Sequence, residues 1–94
     1  DPPSYGRGPS GEIWRLEENL WGFVELVTQV LSDNPLFFLI NSYTTGLAPS
    51  VLSYILETLV TKKHGGHTES QELGLAVTES GLALPCGATG RWSR

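Results

Sequence analysis

The run Gly46-Leu47-Ala48-Pro49-Ser50 and the residues 51–59 behind it constrain this chain more than any other segment. Gly46 lacks a Cβ and so tolerates the φ > 0 conformation that a sharp corner needs. Pro49 suits a first helical position, where its missing N–H and fixed φ cost nothing. Ala48 is then the N-cap, a place where Ser or Thr would cap more strongly. Leu52, Leu56 and Leu59 follow on one helical stripe, flanked by Val51 and Ile55. Ser50, Ser53, Tyr54 and Glu57 fall on the opposite face. The spacing predicts a tight corner feeding a short amphipathic helix over about residues 49–60.

With 94 residues the chain makes one small domain, which buries about 60–65% of its unfolded surface. Six Lys and Arg against ten Asp and Glu leave a net charge of −4. That sign opposes phosphate neutralisation, although the distribution of charge counts for more than its total. The single Cys86 excludes an internal disulfide and fits a reducing, cytoplasmic setting. No basic-then-apolar signal segment opens the sequence. Residues 36–56 carry no charge and have about the length of a membrane span. Asn41-Ser42-Tyr43-Thr44-Thr45-Gly46 and Pro49 interrupt that stretch where a bilayer is least forgiving, which argues against a membrane.

Residues 1–11 are rich in Pro, Gly and Ser and read as a flexible leader. Residues 12–31 give the clearest helix: Ile13, Leu16, Leu20, Phe23, Val24, Val27, Val30 and Leu31 recur at helical spacing. Trp14 and Trp21 lie at the edge of that stripe, either packed over the domain's own core or anchoring a second subunit. Gly22 in mid-helix costs roughly 1 kcal/mol relative to Ala. Pro35 turns Asn34 away from helical geometry. Leu36, Ile40 and Tyr43 then have helical spacing, while Leu-Phe-Phe-Leu-Ile also fits a buried strand. The corner that follows favours a short helix over about residues 38–45. Beyond residue 60 the chain turns polar around Lys62-Lys63-His64-Gly65-Gly66-His67. Residues 73–77 read as a strand. Thr78-Glu79-Ser80-Gly81 is either a hairpin turn or the cap of a last helix, and residues 85–94 read as a loose tail.

This order of elements resembles a winged helix-turn-helix domain of the arsenical-resistance-repressor, MarR and HxlR transcription regulators. Pro35-Leu36, Gly46-Leu47-Ala48-Pro49-Ser50, Leu52-Ser53, Leu56 and Leu59 look like the helix-turn-helix motif. Val77-Thr78-Glu79-Ser80-Gly81-Leu82-Ala83-Leu84 is similar to the end of the second wing strand. The resemblance implies a mainly α fold with a small β-wing over residues 12–84, and a dimeric, DNA-binding transcription regulator. Ser50, Ser53 and Tyr54 would reach base edges or phosphates. Lys62, Lys63 and His67 on the wing would contact the backbone of double-stranded DNA. Trp14 and Trp21 would meet the partner subunit of a homodimer.

The departures from the family point to a rival, a winged-helix module that binds protein rather than DNA. Asn41 stands where a buried leucine is usual, the recognition helix has no Arg or Lys, and Glu57 faces outward. A third reading is a small membrane-associated helical subunit. His64 and His67 with Glu69 or Glu72, and Cys86, have spacing that would allow a metal cluster, but no second paired motif supports one. No nucleophile–base–acid set, phosphate loop or paired carboxylates can be assembled. The sequence therefore leads to an expectation of no enzyme, no cofactor and no metal.

Overall fold

A computed structural model describes the whole chain, residues 1–94. Its elements run β1 (Tyr5–Arg7), β2 (Ile13–Arg15), α1 (Leu16–Thr28), β3 (Phe37–Ser42) and α2 (Pro49–Leu56). A π-helical segment (Glu57–Thr61), the short α3 (Lys62–His64), β4 (His67–Ala76) and β5 (Ala83–Ser93) complete it. β1 and β2 form a small antiparallel hairpin, while the last three strands form an antiparallel sheet in the order β3-β5-β4.

The centre of the molecule is β5. Its alternating Ala88, Gly90 and Trp92 turn to one face and are buried. Opposite them on β3 stand Ser42, Ile40 and Phe38. α2 lays Leu52 and Leu56 across this face, so close that a Cβ added to Gly90 would lie 2.8 Å from Leu52 Cβ. α1 contributes Leu16, Leu20 and Val24, which share one stripe at four-residue spacing, and Val60 completes the contact. Two hydroxyl pairs, Ser53 with Ser70 and Thr61 with Thr68, clip the helical run onto β4. The Trp92 indole N–H donates to the Gly65 carbonyl at 2.7 Å, fixing the point where the helices give way to β4.

The chain is therefore α/β, and the expected mainly α fold with a small β-wing is corrected. The short helix expected over about residues 38–45 is absent, and β3 takes its place. Phe37-Phe38-Leu39-Ile40 is apolar on both faces, which suits a strand, and β3 pairs along its whole length with β5. The tail read as loose is the central strand. Its Gly87-Ala88-Thr89-Gly90 sequence has weak strand propensity, so placement between two neighbours makes it a strand. The supposed leader also carries structure, since Tyr5, Gly6 and Arg7 pair with Arg15, Trp14 and Ile13. That pairing delays α1 to Leu16.

Other expectations agree with the structure locally. Pro49 is the first residue of α2 behind Ala48 as N-cap, and Gly46 has φ 85°. The corner joins a strand to a helix, however, and not two helices. Thr78-Glu79-Ser80-Gly81 is the hairpin alternative: the Val77 amide donates to Leu82 O and the Gly81 amide to Val77 O. No helix of the structure is long and apolar enough to cross a membrane.

Candidate functional site

Three segments distant in sequence meet at the carboxyl end of β3. The first is the β3–α2 loop. Buried Ser42 closes the strand by accepting a hydrogen bond from the Thr44 amide at 3.2 Å. The Leu47 amide donates to Thr44 O, making a turn in which Gly46 occupies the third position. A positive φ there is the type II requirement, and Gly meets it without strain.

The second segment is the start of the chain. Three hydrogen bonds hold residues 1–4 beside that loop. The Trp14 indole donates to Pro3 O at 2.7 Å, the Leu16 amide donates to Ser4 O at 3.0 Å, and the hydroxyls of Ser4 and Thr44 pair at 2.8 Å. Pro2 is buried in consequence. The β1–β2 hairpin thus brings Trp14 back over the residues that precede it.

The third is an irregularity in the β4–β5 ladder. Leu73 pairs with Gly87 and Gly74 with Pro85, leaving Cys86 as the extra residue of a bulge. Bulges bend a strand and re-aim its side chains. Gly87 has φ 111°, and a Cβ added there would collide with Ser42 O, so only glycine lets β5 approach the end of β3 this closely. The first and third segments border an open cleft of about 530 Å³, lined by Tyr43 to Leu47, Pro49, Glu72 and Pro85 to Ala88, and residues 1–4 support it from behind Thr44. That volume lies within the usual range for small-molecule sites, roughly 300–1,000 Å³. An exposed phenol ring, one carboxylate, two threonine hydroxyls and a thiol face it.

The residues singled out from sequence lie elsewhere and do not share one surface. Ser50 is exposed on the first turn of α2. Ser53 faces inward to Ser70, and Tyr54 is exposed with its ring 6.5 Å from that of Trp21. Lys62 and Lys63 are exposed at the far end of the helical run, and His67 opens β4. Trp14 lies on β2, edge-on to Phe23 at 5.7 Å, and Trp21 lies on α1. His64 packs against Trp92, and no three His, Cys, Asp or Glu side chains converge on a point that could hold a metal ion. Sequence reasoning missed residues 2–4, Tyr43, Thr44 and the Gly87 bulge, and singled out Glu72 and Cys86 only as metal ligands. A signal for the first of these is present, since two consecutive prolines stiffen Asp1-Pro2-Pro3-Ser4.

No family model matches this chain, and neither does any curated protein. Among solved structures it is similar to the crystal structure of the SAM-dependent methyltransferase from Agrobacterium tumefaciens. The TM-score is 0.81 at 25% identity, over 99% of this chain and 31% of that one. The chain thus spans about a third of the length of the protein it matches.

This likeness overturns the resemblance to winged-helix regulators and, with it, the reading of a DNA-binding transcription regulator. The protein-binding winged helix falls with the same fold. The expectation of no enzyme is corrected as well, because the shared fold is found in a methyltransferase.

Proposed function

We propose that this chain belongs to a SAM-dependent methyltransferase and forms one wall of the pocket in which the methyl group is transferred. The observation that carries this reading is the fold match along the whole chain, combined with an open cleft at the carboxyl end of β3.

The lining fits part of such a cofactor. Tyr43 offers an aromatic face to a purine or to a positively charged sulfonium, and Glu72 offers a carboxylate to ribose hydroxyls. Thr44 and Thr45 supply hydroxyls for its polar end. S-adenosylmethionine supplies the electrophilic methyl group when bound. The chain's own contribution is to position the wall. Trp14 and Leu16 hold residues 1–4, and Ser4 ties them to Thr44.

The test is a titration of the ¹⁵N-labelled protein with S-adenosylhomocysteine, followed by amide NMR. Progressive shifts at Thr44, Thr45, Gly46 and Glu72, with none at the His67–Ser70 end of β4, are expected. If the spectrum stays unchanged at millimolar ligand, the reading is wrong.

A further inference from the structure

The two edges of the β3-β5-β4 sheet differ in chemistry. From His67 to Glu72, β4 presents His67, Glu69, Gln71 and Glu72, the polar and charged pattern by which sheets discourage further pairing. β3 carries no charge at all. Its free side offers a row of unpaired N–H and C=O groups, a template for another strand.

The side chains on β3 agree with this. Phe38 and Ile40 turn to the helices, while Phe37 and Leu39 turn to the opposite face and are 70% and 52% exposed. Leu36, just before them, is also exposed. One strand further in, this outer face is already polar, with Arg91 on β5 bonded to Glu69 on β4. The exposed Phe37 and Leu39 thus lie along the unguarded edge, while a second apolar group, Leu75 and Leu84, lies at the far end of the β4–β5 hairpin. A strand apolar on both faces belongs to the interior of a sheet. The molecule is only 18 Å thick along its shortest axis, which accommodates one sheet and one helical layer. It buries ten hydrophobic residues while leaving fifteen large ones exposed.

We infer that the free edge of β3, with Phe37 and Leu39 beside it, docks a β-strand and its apolar covering from the remaining two-thirds of a methyltransferase fold. The size of the occupant follows from the neighbour, of which this chain matches 31%. The inference rests on the functional reading above, and the two can fail separately.

The experiment co-expresses this chain with the two-thirds of the Agrobacterium methyltransferase that it does not match. Size-exclusion chromatography and hydrogen exchange read the result. A 1:1 complex is expected, with exchange of the β3 amides slowed at least tenfold and the β4 edge unchanged. Leu39→Lys, at an exposed position, should fold with an unchanged circular dichroism spectrum and abolish the complex. Three outcomes overturn the docking proposal: no complex, protection at β4 in place of β3, or a homodimer of this chain that Leu39→Lys disperses. S-adenosylhomocysteine shifts without a complex would leave the functional reading intact while removing the docking. A complex with no response to that ligand, alone or assembled, would do the reverse.

Discussion

Gly90→Ala tests the packing on which the fold depends. Gly90 stands mid-way along β5, opposite Ile40 on β3 and Ser70 on β4. A Cβ there would lie 2.8 Å from Leu52 Cβ, 3.1 Å from Leu56 Cδ1 and 3.4 Å from Ile40 Cγ2. The Leu56 methyl can rotate away, but Leu52 Cβ is bonded directly to the backbone of α2. Moving it from 2.8 Å to the ordinary 3.4 Å lifts the helix by about 0.6 Å. A gap of that order forfeits roughly a quarter to a half of the dispersion energy of each contact it opens. Overpacking of this kind costs about 1–3 kcal/mol. Restricting the unfolded chain returns about 0.4–1 kcal/mol. A net loss of about 1–2 kcal/mol lowers Tm by about 5–15 °C in a domain of this size. Thermal unfolding and urea titration by circular dichroism measure it, with the urea m-value unchanged. A variant as stable as the parent would refute the close seating of α2 on β5.

Gly22→Ala should act in the opposite direction. A Cβ at Gly22 meets nothing within 4 Å, so better helix propensity raises stability by about 1 kcal/mol in the same urea titration; a loss would show that α1 is packed on that side. Trp14→Phe keeps the aromatic edge against Phe23 but removes the donor to Pro3 O. A loss of about 1 kcal/mol is expected, together with faster hydrogen exchange of the Leu16 amide that binds Ser4 O; unchanged exchange there would mean that the indole does not hold the loop.

Local geometry was legible where one residue type has one physical consequence. The Pro49 helix start and the Gly46 corner are of that kind, and both stand in the structure. The periodicity of Leu16, Leu20 and Val24 also reports a real buried stripe. What failed was the inference from local elements to a fold. Phe37–Ser42 is a run for which helical and extended readings compete, and only pairing with β5 decides between them. β5 itself is built from small residues because α2 must come close, which removes the β-branched signal by which strands are recognised. With these two strands misread, two of the three in the main sheet disappear, and a helix, a corner and a helix remain. That remnant is what resembled a helix-turn-helix.

The candidate site escaped for a different reason. Its alignment depends on backbone groups: Pro3 O and Ser4 O accept the bonds that hold the first segment, and the Thr44 amide donates to Ser42. Every residue carries such groups, so they leave no trace in residue type. Trp14 is the one large side chain that reports the arrangement, and its indole needs a partner because the side chain is partly buried. The partner lies 11 residues earlier, across a hairpin that ends in exposed Tyr5 and Ile13. An isolated two-stranded hairpin is marginally stable by itself, and β1–β2 shares no ladder with the main sheet. Two supports of unequal rigidity therefore flank the β3–α2 loop. One is the end of β3 with the Gly87 bulge, tied into the core; the other is residues 1–4, joined to the loop through the Ser4–Thr44 hydroxyl pair. Local opening of the second costs less than unfolding the first, so the loop that lines the cleft has a yielding support beside a fixed one.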